Sequence, residues 1–180
     1  AQAYEPGVTD ASGQGAGISA WIGYSTTNTD PLTWTNWFSA DYNGDWGNND
    51  EYKRDLGALL TTPGTYYYAS GFKMGSADYM YGGYSATGGG VWNGTSFISG
   101  IVTVAPSWTS GWPKADTPNG DGFTARVNMD AIGTSYFVVL PSGAAVPSSA
   151  QVKAGQNASG ISVAANLKGT IACPAAATEY

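Results

Sequence analysis

The sequence predicts an all-β protein, arranged as two β-sandwich modules in tandem. Three observations carry this. Apolar residues recur with a period of two in several short stretches. Turn-forming residues interrupt them roughly every eight to twelve residues. A long amphipathic stretch with helical spacing is absent.

The first clear strand is "GISAWIGYS" (17–25), which places Ile18, Ala20, Ile22 and Tyr24 on one side and Trp21 on the other. The acidic stretch "SADYNGDWGNNDEYKRD" (39–55) reads as a polar connection between strands, because Asn, Asp and Gly tolerate turn conformations. A strand is expected from Asp50 to about Leu56. Pro63-Gly64 then introduces "GTYYYASGFKM" (64–74), in which Tyr67 faces away from Tyr66 and Tyr68. "YMYGGYS" (79–85) follows after a short turn, so 65–85 reads as a hairpin. "SFISGIVTV" (96–104) is the next strand, ended by Pro106.

At 104–122 the texture changes to Trp, Pro and Gly with few aliphatics, which suggests a boundary near residue 105 and modules of 1–104 and 105–180. Beyond it, "GFTARVNMD" (122–130) and "GTSYFVVLP" (133–141) read as a strand pair. The dipeptides Asn119-Gly120 and Asp121-Gly122 read as a hairpin turn. "PSSAQVKAG" (147–155) is a one- to two-turn helix capped by Ser148 and ended by Gly155. "GISVAAN" (160–166) and "GTIAC" (169–173) return to strand.

Composition narrows the function. Charged residues are 11% of the chain and aromatics 13%, which argues against disorder. The formal charge of −6 disfavours nucleic acid and anionic membrane surfaces as partners. No apolar run approaches the ~20 residues of a membrane helix, and no leader of basic then apolar character is visible. Histidine is absent, which removes His-based triads and His metal ligands. The lone Cys173 reads as a small, partly buried residue, or as one half of a pair whose partner lies beyond the chain end. Low charge with abundant Thr, Ser, Asn, Tyr and Trp suggests a secreted or cell-surface protein.

The stretches "AQAYEPGVTDASGQGAGISAWIGYSTTNTDP", "GNNDEY", "GTYYYASGF", "YGGYS" and "VWNGTSFISGIVTV" together resemble a bacterial immunoglobulin-like module. Such modules occur in large secreted proteins of Gram-negative bacteria, some using type IX secretion. "GWPKAD" and "GFTARVNMDAIGTSYFVVLPSGAAVPSSAQVKAG" resemble a fibronectin type III-like module, with Trp112 where that pattern has Tyr. The resemblance implies a fragment of a longer polypeptide, with both modules incomplete. It implies other domains of that polypeptide as partners, and self-association through open sheet edges.

Two sets of residues are candidates for a site. Asp41, Asn43 and Asp45 have the alternate spacing of oxygen ligands in a calcium loop, and Asp50 and Glu51 complete a possible set. Trp46 stands where an EF-hand needs Gly, and Tyr52 where it needs Glu. The competing reading is a solvated turn. The second set is aromatic. Trp34, Trp37, Trp46 and Trp92 lie in or beside Gly-, Asn- and Thr-rich stretches, where indole faces can stack on sugar rings. They also suit the ends of a sandwich. No carboxylate pair with glycosidase spacing is identifiable. The expected function is therefore a non-catalytic structural, spacer or adhesive module, with carbohydrate binding through loop aromatics as the alternative and a fragment of a secreted hydrolase as the third, less favoured reading.

Overall fold

The computed structural model describes residues 1–116 and 122–180. The chain is all-β, with strands paired antiparallel, and divides into two compact units, Ala1–Val104 and Ala105–Tyr180.

The first unit is one curled sheet. Its strands are β1 (Gln2–Ala3), β2 (Ile18–Ser25), β3 (Asn36–Trp46), β4 (Asn49–Lys53), β5 (Gly64–Met74), β6 (Met80–Ser85), β7 (Gly88–Val91) and β8 (Gly100–Val104). Their order is β1-β4-β3-β2-β5-β6-β7. Along its edge away from β2, β5 is shared by two neighbours: Ser70–Phe72 pair with β6, whereas Gly64–Tyr68 pair with β8. The 65–85 hairpin is present as β5 and β6.

Period-two alternation sorts the side chains of this sheet. One face gathers Ile18, Ala20 and Tyr52 into a core, against which Ala3, Val8, Ala40, Tyr42 and Phe72 pack. Tyr52 meets Tyr42 and Phe72 edge-on, at centroid distances of 5.9 and 5.8 Å. Such pairs add about 0.5–1.5 kcal/mol each beyond their burial. Farther along the same face the sheet curls into an open, largely apolar concavity of about 1470 Å³, lined by Phe72, Met74, Met80, Tyr84 and Ile98 among others.

The acidic stretch is not a loop. β3 runs through Asp41, Asn43 and Asp45, and the reversal occupies only Gly47 and Asn48, between the paired residues Trp46 and Asn49. Gly47 has φ +63°, the left-handed value that suits glycine at the first central position of a two-residue hairpin turn. β4 ends at Lys53, short of Leu56, because Asp55 turns the chain by accepting the Gly57 N–H at 2.7 Å. Similarly, β8 begins only at Gly100. Upstream, Asn93 Oδ1 accepts from the N–H groups of Thr95, Ser96 and Phe97, competing with a ladder.

The second unit contains two strand pairs. β9 (Lys114–Ala115) pairs with β10 (Ala125–Arg126), and β11 (Gly133–Val138) pairs with β12 (Lys168–Cys173). The expected pairing of 122–130 with 133–141 does not form. A reversal there would rest on Ala131 and Ile132, neither suited to the positive φ of a tight hairpin turn. The Asn119-Gly120 turn lies outside the described residues, as does Asp121 of the Asp121-Gly122 turn. Helix α1 (Ser149–Lys153) carries the expected cap, with the Ser148 side chain and Gln151 forming a reciprocal capping box. Gly155 follows in the left-handed conformation. The 160–166 stretch makes only an isolated bridge, Gln156 with Ser162, because Asn157 Oδ1 accepts from Ser159 and Ile161. Cys173 is a free, buried thiol. Arg126 bonds Asp116 at 3.1 Å and Glu179 at 2.6 Å, which raises its pKa and ties β10 to the 174–180 segment.

Candidate functional site

The acids of the β3–β4 hairpin are distributed by a bulge. The register slips between Tyr42 and Gly44, leaving Asn43 as an extra residue. Before the slip Tyr42 opposes Tyr52, and after it Asp45 opposes Asp50. Tyr42, Asp45, Asp50 and Tyr52 therefore share the core face, whereas Asn43 and Glu51 meet on the other. Asp41, opposite Lys53, belongs to that other face too. The alternate spacing of Asp41, Asn43 and Asp45 does not converge, because the bulge lies within it.

On the core face the carboxylates hold the Gly-rich segment 10–17. Asp50 is wholly buried, and its Oδ2 accepts the Gly15 N–H at 2.7 Å and the Tyr52 hydroxyl at 3.3 Å. Asp45 Oδ2 accepts the Gly13 N–H at 3.1 Å, and its other oxygen accepts the Tyr42 hydroxyl. Thr9, also buried, donates to the Asn48 carbonyl at 2.8 Å. Three points of the hairpin thus clasp the segment that precedes β2. A Cβ on Gly15 would meet Val8, Ile18 and Asp50 Oδ2, so the carboxylate is closely packed, and its Oδ1 has no hydrogen-bond partner among the described residues.

These bonds set the electrostatics. Donation by Tyr42, then by Gly13 and Ser12, holds the Asp45 carboxyl below its ordinary pKa. The same bond pushes Tyr42 up to about 12. Asn43, then Gln2, holds Glu51 below its ordinary value. Among the described residues, no group of three or more His, Cys, Asp and Glu side chains is placed to hold a metal ion.

The tryptophans divide differently. Trp46 sits at the β3–β4 turn, 68% exposed, at the far end of β3 from Trp37. Trp92 follows β7 and donates its indole N–H to Ser99 Oγ at 3.3 Å. Trp34 is buried, donating to Thr29, and stacks on Trp37 at 5.9 Å. Of the four, the structure brings together Trp34 and Trp37 only.

Trp37 leads to a site that loop composition did not reveal. Its indole lies over Gly23, its register partner on β2, and reaches Gly71 on β5. Beyond Gly71 it meets Tyr81 of β6, at a centroid distance of 5.2 Å. Tyr81 stacks with Tyr79 at 6.3 Å, and Tyr79 meets Trp21 of β2 at 5.2 Å. Trp34, Trp37, Tyr81, Tyr79 and Trp21 thus form one continuous aromatic strip across four adjacent strands, on the face opposite the core. Two glycines make room for it. Lys73 Nζ stands 5.1 Å from the Tyr79 centroid. Desolvation, then the neighbouring Tyr79 and Asp30, raises the Tyr81 pKa. The strip grades from buried Trp34 to half-exposed Tyr79.

The signal for this strip was present in the alternation of 17–25, where Trp21 stands alone on the side opposite Ile18, Ala20 and Ile22. No protein-family model matches the chain, and no curated protein or solved structure matches it either. No helix among the described residues is long and apolar enough to cross a membrane.

Proposed function

We propose that the chain is a non-catalytic adhesive module of a secreted or cell-surface protein, and that it meets its partner surface through the aromatic face of the first unit. The observation that supports this reading most directly is the strip itself. Five aromatic side chains, carried by β2, β3, β6 and the segments just before β3 and β6, converge on one side of the sheet and end at partly exposed Trp21 and half-exposed Tyr79. Aromatic rings that stay partly open to solvent side by side, as Trp21 and Tyr79 do, are a feature of binding surfaces. The acids of the hairpin are used otherwise, in bonds that hold the chain's own backbone and side chains.

The architecture belongs to the same proposal. The two units are sandwich modules, immunoglobulin-like and fibronectin type III-like, within a longer polypeptide whose other domains they position. What supports this is the all-β content and the concave apolar face of the first sheet, the kind of surface that a second layer covers. Edge strand β7 is the place for strand addition by another copy.

Adhesion is tested with microspheres coated with the full chain and counted after washing over cellulose, chitin, mucin and collagen films. Retention above albumin-coated spheres on one of these films, lost in Trp21→Ser/Tyr79→Ser, is the expected result. Albumin-level retention on all of them, or equal retention by the variant, overturns the reading.

A further inference from the structure

The polar groups that flank the exposed end of the strip identify what it takes. Ser39 is the register partner of Trp21 across β2 and β3, and Ser19 is the register partner of Lys73 across β2 and β5. Residues directly opposite in an antiparallel pair share a face. Ser19, Ser39 and Lys73 therefore stand on the same side of the sheet as Trp21 and Tyr79. Both serines are exposed, and among the described residues neither hydroxyl is engaged in a hydrogen bond. Their capacity as donors and acceptors is thus free beside rings whose contacts are apolar.

We infer that this end of the aromatic face is a binding site for a neutral glycan chain, with pyranose rings lying against Trp21 and Tyr79. The inference rests on the adhesive reading and gives it a ligand class. A pyranose ring presents C–H bonds on its face and hydroxyls around its rim. It needs an aromatic surface below and hydrogen-bonding groups at the side, and this is the arrangement of Trp21 and Tyr79 with Ser19, Ser39 and Lys73. A protein partner would be matched better by a broad apolar patch than by rings in single file between hydroxyls. Charge decides between neutral and acidic sugars. The chain carries 13 acidic against seven basic residues, so a uronate or sulfated polymer meets net repulsion. The rings are already packed against one another, so binding orders few side chains; Lys73, whose ammonium lies over Tyr79, swings aside to admit the sugar and bonds its rim hydroxyls. Buried Trp34 and partly buried Trp37 form the root of the strip and hold its outer rings in place.

Affinity gel electrophoresis of the full chain tests the inference, with hydroxyethyl cellulose, xyloglucan, laminarin and dextran as neutral polymers and alginate and heparin as acidic ones. At least one neutral polymer is expected to retard migration saturably. Tyr79→Ala and Trp21→Ala should each weaken that retardation tenfold or more, and Ser39→Ala severalfold. Tyr79 is half exposed, so Tyr79→Ala keeps the fold, checked by an unchanged melting temperature. Trp46→Ala, on the hairpin turn, should leave retardation unchanged. Retardation by alginate or heparin equal to that by the neutral polymers overturns the inference, as does retardation insensitive to Trp21 and Tyr79. If no neutral polymer retards the chain while coated spheres still adhere through the same face, the glycan inference fails and the adhesive reading stands.

Discussion

Trp37 lies across Gly23, its partner on the neighbouring strand, so closely that a methyl group on Gly23 would sit 2.5 Å from the indole. Indole and glycine are two halves of one feature. Without a side chain on β2, the ring of β3 reaches over it to β5 and joins the aromatics of β6.

Gly23→Ala is therefore expected to destabilise the first unit by about 1–3 kcal/mol, the range for overpacking a close contact. The near-ultraviolet circular dichroism should weaken too, because the ring stack must shift. Thermal melting followed by far-ultraviolet circular dichroism, with the near-ultraviolet spectrum recorded before melting, checks this. Ser39→Ala, on an exposed strand position, should stay within about 0.5 kcal/mol of the parent.

Asp50 gives a second prediction. Its buried carboxylate accepts the Gly15 N–H and fixes the Gly-rich segment to the hairpin. Asp50→Ala removes the acceptor and leaves a buried donor unpaired, a loss of about 1–3 kcal/mol. Asp50→Asn retains a carbonyl acceptor and should cost less. Amide exchange at Gly15 should quicken markedly in Asp50→Ala.

The bond between Tyr42 and Asp45 makes stability pH-dependent at both ends of the scale. Tyr42 is an acid whose folded pKa, about 12, lies above its ordinary value. Its contribution is whole below the unfolded pKa of about 10 and is lost as pH rises from there towards the folded value. Asp45 and Glu51 are held below their ordinary values. Their contributions are whole above about pH 4 and disappear as pH falls through the folded pKa values. Absorbance titration at tyrosinate wavelengths should show a late-ionising group that Tyr42→Phe removes and Asp45→Asn shifts towards ordinary behaviour.

Calcium should not change the melting curve. The five oxygen-bearing side chains proposed as ligands fall on two faces of the hairpin, so they do not surround one ion. A ligand that bound only the folded state would add about 2.7 kcal/mol at one hundred times its Kd. Curves with millimolar calcium and with a chelator are expected to coincide, and a rise of several degrees with calcium would contradict this placement.

Much of the strand pattern was legible in the sequence, and the reasons differ by element. β2 and β5 announce themselves by alternation, and α1 by Ser148 at its start and Gly155 at its end. The β3–β4 hairpin was hidden because Asp, Asn and Gly read as loop, although Tyr42 and Tyr52 still supply a core face. The Gly47-Asn48 pair, a recognised hairpin dipeptide, marks the true reversal. The bulge at Asn43 could not be read, since a slip of one residue reverses every later side chain while leaving the sequence pattern ordinary. The aromatic strip was hidden for another reason. Its members are separated by up to sixty residues, and only the register of β2, β3, β5 and β6 sets them side by side. Composition pointed to Trp34 and Trp37, the root of the strip, and passed over Trp21, Tyr79 and Tyr81.

The measurement that tests the central claim most directly is hydroxyl-radical footprinting of the full chain, free and bound to the film that retains it, read by mass spectrometry. Adhesion through the aromatic face predicts that oxidation of Trp21 and Tyr79 falls severalfold on binding, while Trp46 and Tyr84, both exposed and both elsewhere on the unit, keep their free-state rates. Protection of Trp46 or Tyr84 with Trp21 and Tyr79 unchanged would contradict it.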